Sequence, residues 1–279
     1  MTTENKSSRT LVNLIGVPSL LAIIVVGDSF QNLPLFSIFI GVVLYLGALE
    51  IKILVKDKGA TPLLPVLILF LALLQINRHP GITWDVPLEM LLLSLALVTM
   101  IIETFRKAEK PLMNISTVIF AFIWIGVMLG SLSIIRNFDI IGFRLTFALF
   151  LSVWICDTAA FVFGKKWGKA KILPKVSPNK TWVGTIAGFA GSIFFLLILH
   201  RIDFFNGVFS FGDILIFGII TGGFGQLGDF AESLLKREAG VKDTSNFLRG
   251  HGGILDRFDS LTFAAPLAYV YCHYILKIG

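Results

Sequence analysis

The chain has 279 residues, a formal net charge of +6 and 26 Phe; 55% of it is apolar and only 15% charged. Apolar runs recur along its whole length, several of them long enough to cross a bilayer, for which about 20 residues suffice, so no large soluble domain is left over. Open sheets are excluded because unpaired backbone groups are too costly in hydrocarbon, a barrel is excluded because the runs are continuous rather than alternating, and Cys156 and Cys272, both inside apolar runs, suggest neither a disulfide framework nor a metal spacing.

The expected fold is all-α: a polytopic integral membrane protein with about nine transmembrane helices, near residues 11–27, 34–55, 61–76, 86–103, 113–135, 142–164, 182–199, 211–236 and 259–275. The first span follows ten polar residues that include Lys6 and Arg9. It resembles a signal sequence but ends in Val25-Val26-Gly27-Asp28-Ser29, with no small-x-small cleavage site, so an uncleaved helix is expected. The third span is short and either tilts little or thins the bilayer locally. The eighth is long and turns polar from Gly228, where it leaves the membrane or lines a cavity. Residues 1–110 hold about four spans, and 111–279 hold the rest, with two charged loops. No low-complexity segment, Pro-rich linker or internal repeat is visible.

With the N-terminus inside, the inner segments carry eighteen Lys and Arg and the outer ones five, namely Arg78, Arg136, Arg144, Arg201 and Lys277. By the positive-inside rule both charged loops then face the cytoplasm. The few intramembrane charges before Asp157 are Glu50, Lys52 and Glu89, all near span ends.

Residues 233–260 put four acids, five Lys or Arg and one His into twenty-eight positions. Anchoring needs no such density of both signs; a site for a metal ion and a phosphorylated substrate does. Upstream, Asp229, Glu232, Ser233 and Lys236 fall at i, i+3, i+4 and i+7, one helical stripe. An acid at membrane depth costs at least about 2.5 kcal/mol on insertion scales, so Asp229 faces protein, metal or water, unless it simply pairs with Lys236 two turns on. After the loop come His251-Gly252-Gly253 and then Asp256-Arg257-Phe258-Asp259. The glycine pair allows a tight turn with exposed N–H groups. Asp256 and Asp259 share a face at a helix start, where they either complement the helix dipole or, with Asp229 and Asp243, hold a hard cation such as Mg²⁺.

The other charged loop carries six lysines between Lys165 and Lys180, Lys171 among them. They serve as a topogenic cluster, an anionic-lipid contact or phosphate ligands. Its end favours the last: Ser177-Pro178 reads as N-cap and N1 of the seventh span, placing Lys180 and Thr181 in the first turn, where free N–H groups bind phosphate. Asp157, at the end of the sixth span, orients a lysine, binds metal or is a structural acid. Two matches fail on context. Gly223-Phe224-Gly225-Gln226-Leu227-Gly228 fits a dinucleotide fingerprint but follows no soluble strand; like Gly184 and Gly188, these are small residues for close helix packing. Asn114-Ile115-Ser116 is a glycosylation sequon in form only, since it starts an apolar span.

Ser233, Lys236, Arg237, Lys242, Asp243, His251, Gly252, Gly253, Asp256, Arg257 and Asp259 together resemble the signature of the CDP-diacylglycerol synthases, or phosphatidate cytidylyltransferases: S-x-x-K-R, four residues, K-D, a spacer, H-G-G-x-x-D-R-x-D. Asp157 and the S-P-x-K-T-W string at 177–182 look like the same family. The motifs cover roughly 154–262; the first half resembles it only in being a set of spans. Two departures are visible, Arg249 two residues before His251 and Val183 after K-T-W, and neither touches the D-R-x-D core.

The resemblance implies a Mg²⁺-dependent reaction of CTP with phosphatidate to give CDP-diacylglycerol and pyrophosphate, at the inner membrane with the site facing the cytoplasm. A second cation is compatible with it. CTP, phosphatidate and membrane lipids are the implied partners, with no nucleic acid; the glycine-rich spans permit a homodimer without requiring one. It points to Asp229 and Asp256 as principal metal ligands, with Asp259 and Asp243 as further ligands or supports. Lys236, Arg237, Lys242 and Arg257 would hold phosphates. Asp157, Lys171, Ser177, Lys180 and Thr181 would lie at the substrate, and His251 would bond the leaving group or shape the Gly-Gly turn. The rivals are a CTP-using enzyme acting on another lipid phosphate and a membrane transporter; against the latter, the polar residues gather at one interface instead of lining a path.

Overall fold

A computed structural model describes residues 16–27, 34–79, 81–82, 84–139, 141–245 and 252–278. Lys6, Arg9, the first ten or so polar positions, residues 11–15, Asp28, Ser29, Arg249 and His251 lie outside the described residues. The rest is helical as expected. Among the described residues there is no strand, only an isolated antiparallel bridge between Lys171 and Thr181.

Among the described residues nine helical segments follow in chain order. They are α1 (Val17–Val26), α2 (Leu35–Val55), α3 (Leu64–Asn77), α4 (Leu88–Arg106), α5 (Pro111–Arg136), α6 (Gly142–Trp167), α7 (Trp182–Arg201), α8 (Phe211–Glu238) and α9 (Leu255–Val270, continued by π turns Tyr271–Ile275). Each falls on one expected span. Six of them, α2 and α4 to α8, are long and apolar enough to cross a membrane, so the chain is a multi-pass membrane protein. The count of nine crossings is not reached on that measure. α3, with 14 residues, is a shorter apolar helix, as the 61–76 run foretold.

The chain divides into two compact units, 1–134 with 238–257 and 135–237 with 258–279. In the first, α2 ends in a 3₁₀ turn, Lys56–Lys58, closed by left-handed Gly59. α5 widens into π turns over Phe122–Leu129, which leaves carbonyls without their usual donors. Arg78, at the end of α3, answers them: its guanidinium donates to the Gly126 oxygen (2.7 Å) and the Val127 oxygen (3.3 Å). A polar cluster joins α4 to α5. Buried Asn114 donates to Glu103 Oε2 (3.1 Å) and accepts the Thr61 N–H (2.7 Å), while Arg106 donates to Glu103 Oε1 and to the Thr61 oxygen. Asn114 is 1% exposed, which agrees with rejecting the sequon.

In the second unit α6 and α7 pack through small residues. A Cβ on Gly184 would stand 2.7 Å from the Ala160 oxygen, and one on Gly188 2.7 Å from the Cys156 oxygen. With no side chain at either place the backbones meet and dispersion contacts run the length of the crossing. The α8 start carries a capping box in which the Asp213 N–H bonds Ser210 Oγ and the Ser210 N–H bonds Asp213 Oδ2; Tyr271 adds a hydroxyl donor to Asp213 Oδ1 (2.5 Å). Further along α8, a Cβ on Gly228 would lie 2.6 Å from the Asp259 carbonyl oxygen. The string that mimics a nucleotide fingerprint therefore seats α9 against α8.

Gly188→Leu overpacks the α6–α7 crossing, which costs about 1–3 kcal/mol and lowers the melting temperature of the detergent-solubilised chain by about 3–10 °C. Gly223→Ala is the control: its Cβ would meet nothing closer than 3.8 Å. Melting there should be unchanged or slightly higher, since alanine is the better helix former.

Candidate active site

In the second unit a cavity of about 500 Å³ opens where the end of α6, the loop after it, the start of α7 and the middle of α8 meet. Its lining includes Asp157, Lys165, Lys171, Lys180, Thr181 and Asp229. Of the five positions assigned to substrate by sequence, Ser177 is the one that does not line it.

The loop is folded by its own backbone. The Val176 and Ser177 N–H groups bond the Leu173 oxygen, the Lys180 N–H bonds the Ser177 oxygen, and the N–H groups of Ile172 and Trp182 bond the oxygens of Lys180 and Ala170. Ser177-Pro178 is thus part of a turn and not a helix start. The cap of α7 is Thr181, extended at φ −126° and ψ 153°, whose hydroxyl accepts the Gly184 N–H (3.2 Å). The expected cap is corrected by four residues because the closed turn uses up the Ser177 carbonyl and the chain straightens only at Thr181. Lys180 is left outside the helix, free to reach across to α8.

Lys180 pairs with Asp229 Oδ2, and its ammonium lies 4.3 Å from the centroid of the Phe230 ring. The two side chains are 27% and 22% exposed, so water screens the pair in part and its net contribution stays modest. Ser233 donates to the other Asp229 oxygen (3.3 Å). The alternative pairing of Asp229 with Lys236 does not form: Lys236 turns to Glu232 (3.2 Å), and both are buried. Arg237 donates from Nε to the Val176 oxygen (3.0 Å), fastening the lysine loop to α8.

Asp259 interacts electrostatically with Asp229, Glu232 and Asp157. The backbone approach at Gly228 brings Asp259 beside α8. Among the described residues no group of three or more His, Cys, Asp or Glu is placed to hold a metal ion. A hard divalent cation needs none; Mg²⁺ keeps several waters and takes one or two carboxylates together with substrate phosphates. Of the acids named, Asp229 and Asp157 line the cavity.

Lys242, Asp243, Asp256 and Arg257 belong to the other unit. There Asp256 Oδ2 accepts the N–H groups of Thr244 (2.8 Å) and Gly253 (2.7 Å), closing the loop that carries the glycine pair. Gly252 has φ +76°, and its Cβ would press on the same carboxylate, which gives the first glycine its reason. Sequence reasoning missed Gln226. Buried in α8, it lines the cavity and donates to the oxygens of Thr185 (3.1 Å) and Gly222 (2.7 Å); only its polarity within an apolar span could have signalled it.

The chain matches the sequence model of the Cytidylyltransferase family over residues 7–275. It is similar to proteins named phosphatidate cytidylyltransferase. That of Bacillus subtilis is 38% identical over 189 residues, 66% of either chain. That of Staphylococcus saprophyticus is 48% identical over 118 residues, 42% of this chain and 45% of the relative. That of Staphylococcus aureus strain COL is 50% identical over 119 residues, again 42% and 45%. The chain thus spans from just under half to 66% of the length of these curated relatives.

Thr181→Val keeps the shape of the α7 cap and removes its acceptor. It should cost about 1 kcal/mol and lower the melting temperature by about 2–4 °C. Ser177→Ala, the cap expected from sequence, should leave melting unchanged.

Proposed function

The chain belongs to the cytidylyltransferase family, and from that premise we propose that it transfers the cytidylyl group of CTP to phosphatidate, releasing pyrophosphate and forming CDP-diacylglycerol. A phosphate oxygen of the lipid attacks the α-phosphorus of CTP. The new P–O bond forms as the bond from the α-phosphorus to the α,β-bridging oxygen breaks, and the electron pair leaves on pyrophosphate. A phosphate monoester has a second pKa near 6, so the nucleophile is already anionic and no general base is needed. The task is to hold two anions together and to neutralise the charge that develops on the leaving group, by groups placed in advance.

The observation that carries this reading is the Lys180–Asp229 pair at the mouth of a cavity of about 500 Å³, within the size range of small-molecule sites. Lys180, Lys171 and Lys165 would take CTP phosphates, with Thr181 as a hydroxyl partner. Asp229 and Asp259 would hold Mg²⁺, which supplies charge neutralisation at the phosphoryl oxygens. Asp157 would keep the lysines of the rim oriented. Since Lys236 already faces Glu232 and Arg237 holds the Val176 carbonyl, their proposed part is to hold the lysine loop in shape. Lys242, Asp243, Asp256, Arg257 and His251 enter the proposal on their motif positions. The site is proposed to face the cytoplasm at the inner membrane, where CTP comes from water and the lipid from the leaflet.

The test is incubation of the purified chain with labelled CTP and phosphatidate in detergent, with and without Mg²⁺. The labelled liponucleotide should appear only with Mg²⁺, and Asp229→Asn or Lys180→Ala should slow it about 100- to 1,000-fold, the usual loss when a preorganised charge partner is removed. Product from an isoprenoid phosphate but not from phosphatidate would move the assignment to another lipid. No CTP consumption with any lipid phosphate would overturn it.

A further inference from the structure

Glu50 is a buried acid of the first half to which the proposed reaction gives no task. It sits on α2, is 4% exposed and belongs to the same unit as residues 238–257. Its carboxylate is fully engaged. Oε1 accepts the Ser245 hydroxyl (2.6 Å) and the Ile254 N–H (2.8 Å); Oε2 accepts the Leu255 N–H (2.9 Å) and lies 2.7 Å from the Thr244 hydroxyl.

These donors come from two described stretches, 244–245 before the His251-Gly252-Gly253 motif in the sequence and 254–255 after it. The Ile254 and Leu255 groups are the first N–H groups of α9, which have no partner within the helix and attract negative charge. The Thr244 hydroxyl is also 2.9 Å from Asp256 Oδ2, so its single proton links Glu50 to the motif acid or serves one of them at a time. Gly253 shows how closely the parts fit: a Cβ there would overlap both Glu50 oxygens and the Thr244 hydroxyl. One turn earlier on α2, Gly47 leaves room for Leu255, whose Cδ2 would be 3.0 Å from an added Cβ. At the end of α2 the Lys58 ammonium meets Glu238 (3.4 Å).

We propose that Glu50 is a positioning residue for the reaction: its carboxylate clamps Thr244 and Ser245 to Ile254 and Leu255 and sets where α9 begins, and with it the stance of Asp256 and Arg257. This rests on the cytidylyl-transfer reading. The glycine pair of the motif then has two separate causes. The first glycine meets the Asp256 carboxylate and the second the Glu50 carboxylate. Glu50→Gln keeps the shape but turns an NH₂ group toward a backbone N–H, so the clamp loses one jaw. Glu50→Asp keeps the charge with a shorter reach.

The experiment uses the full chain in detergent and two readouts, hydrogen exchange and the Mg²⁺ dependence of turnover. Glu50→Gln should speed amide exchange across 244–256 and leave other helices unchanged. It should lower kcat and raise the half-saturating Mg²⁺ concentration by about tenfold, the usual effect of removing a group that orients a site's ligands, with KM for CTP within about twofold. Glu50→Asp should recover part of both, and it keeps the test open should Glu50→Gln fold poorly. Unchanged exchange and turnover overturn the proposal. So does faster exchange along the whole chain with turnover falling only in proportion to the folded fraction, which marks a purely structural role. If the wild-type chain makes no product, the transfer reading falls, and exchange alone then decides on the clamp: faster exchange confined to 244–256 upholds it, while general or absent change overturns it.

Discussion

The ion pair between Lys180 and Asp229 is the constraint on which the organisation of the second unit turns. A carboxylate placed midway along an apolar helix must find a partner or give up its charge, because the surroundings solvate it poorly. Lys180 can be that partner because it precedes Thr181, the cap of α7, and because Arg237 ties the lysine loop to α8. The Phe230 ring lies beside the ammonium and adds a cation–π contact, worth about 0.5–1 kcal/mol where water reaches. The same arrangement suits exchange. In the proposed reaction a phosphate arriving in the cavity would compete for Lys180 and a divalent cation for Asp229, so the pair would keep each charge compensated until both ligands bind.

Close backbone packing is the second requirement, and it serves the first. Gly184 and Gly188 let α7 lie against α6, which fixes the loop between them; Gly228 lets α9 lie against α8, which brings the Asp259 backbone beside the helix that carries Asp229. Acids gathered in this way repel one another. Such a gathering persists where cations answer it, here Lys180 and Lys236 and, in the proposed reaction, Mg²⁺.

Much of this was legible in the sequence. Continuous apolar runs located each helix among the described residues, and Asp157, Lys171, Lys180, Thr181 and Asp229, singled out in the sequence, line one cavity. The partners were not legible. Helical periodicity puts Asp229, Glu232, Ser233 and Lys236 on one stripe, but it cannot say that Lys236 turns to Glu232 while Asp229 takes a lysine 49 positions away. The α7 cap was misplaced because Ser-Pro is as good a turn as a helix start, and the choice is made by hydrogen bonds to Leu173 and Ala170 outside the local string. Glu50 carried only a weak signal, an acid near the end of a span; what gives it meaning are donors about 200 positions further on. Arg78, counted for topology, is held by carbonyls that the π turns of α5 release, and no propensity rule places such turns.

The central claim is that Asp229, shared between Lys180 and a divalent cation, is the charge centre of the site. Manganese binding to the full chain in detergent with CTP present, followed by the loss of the free-ion paramagnetic resonance signal, tests it most directly. The wild-type chain should take up Mn²⁺ saturably, and Asp229→Asn should weaken that uptake about tenfold or more. Uptake by Asp229→Asn equal to that of the wild type would contradict the account.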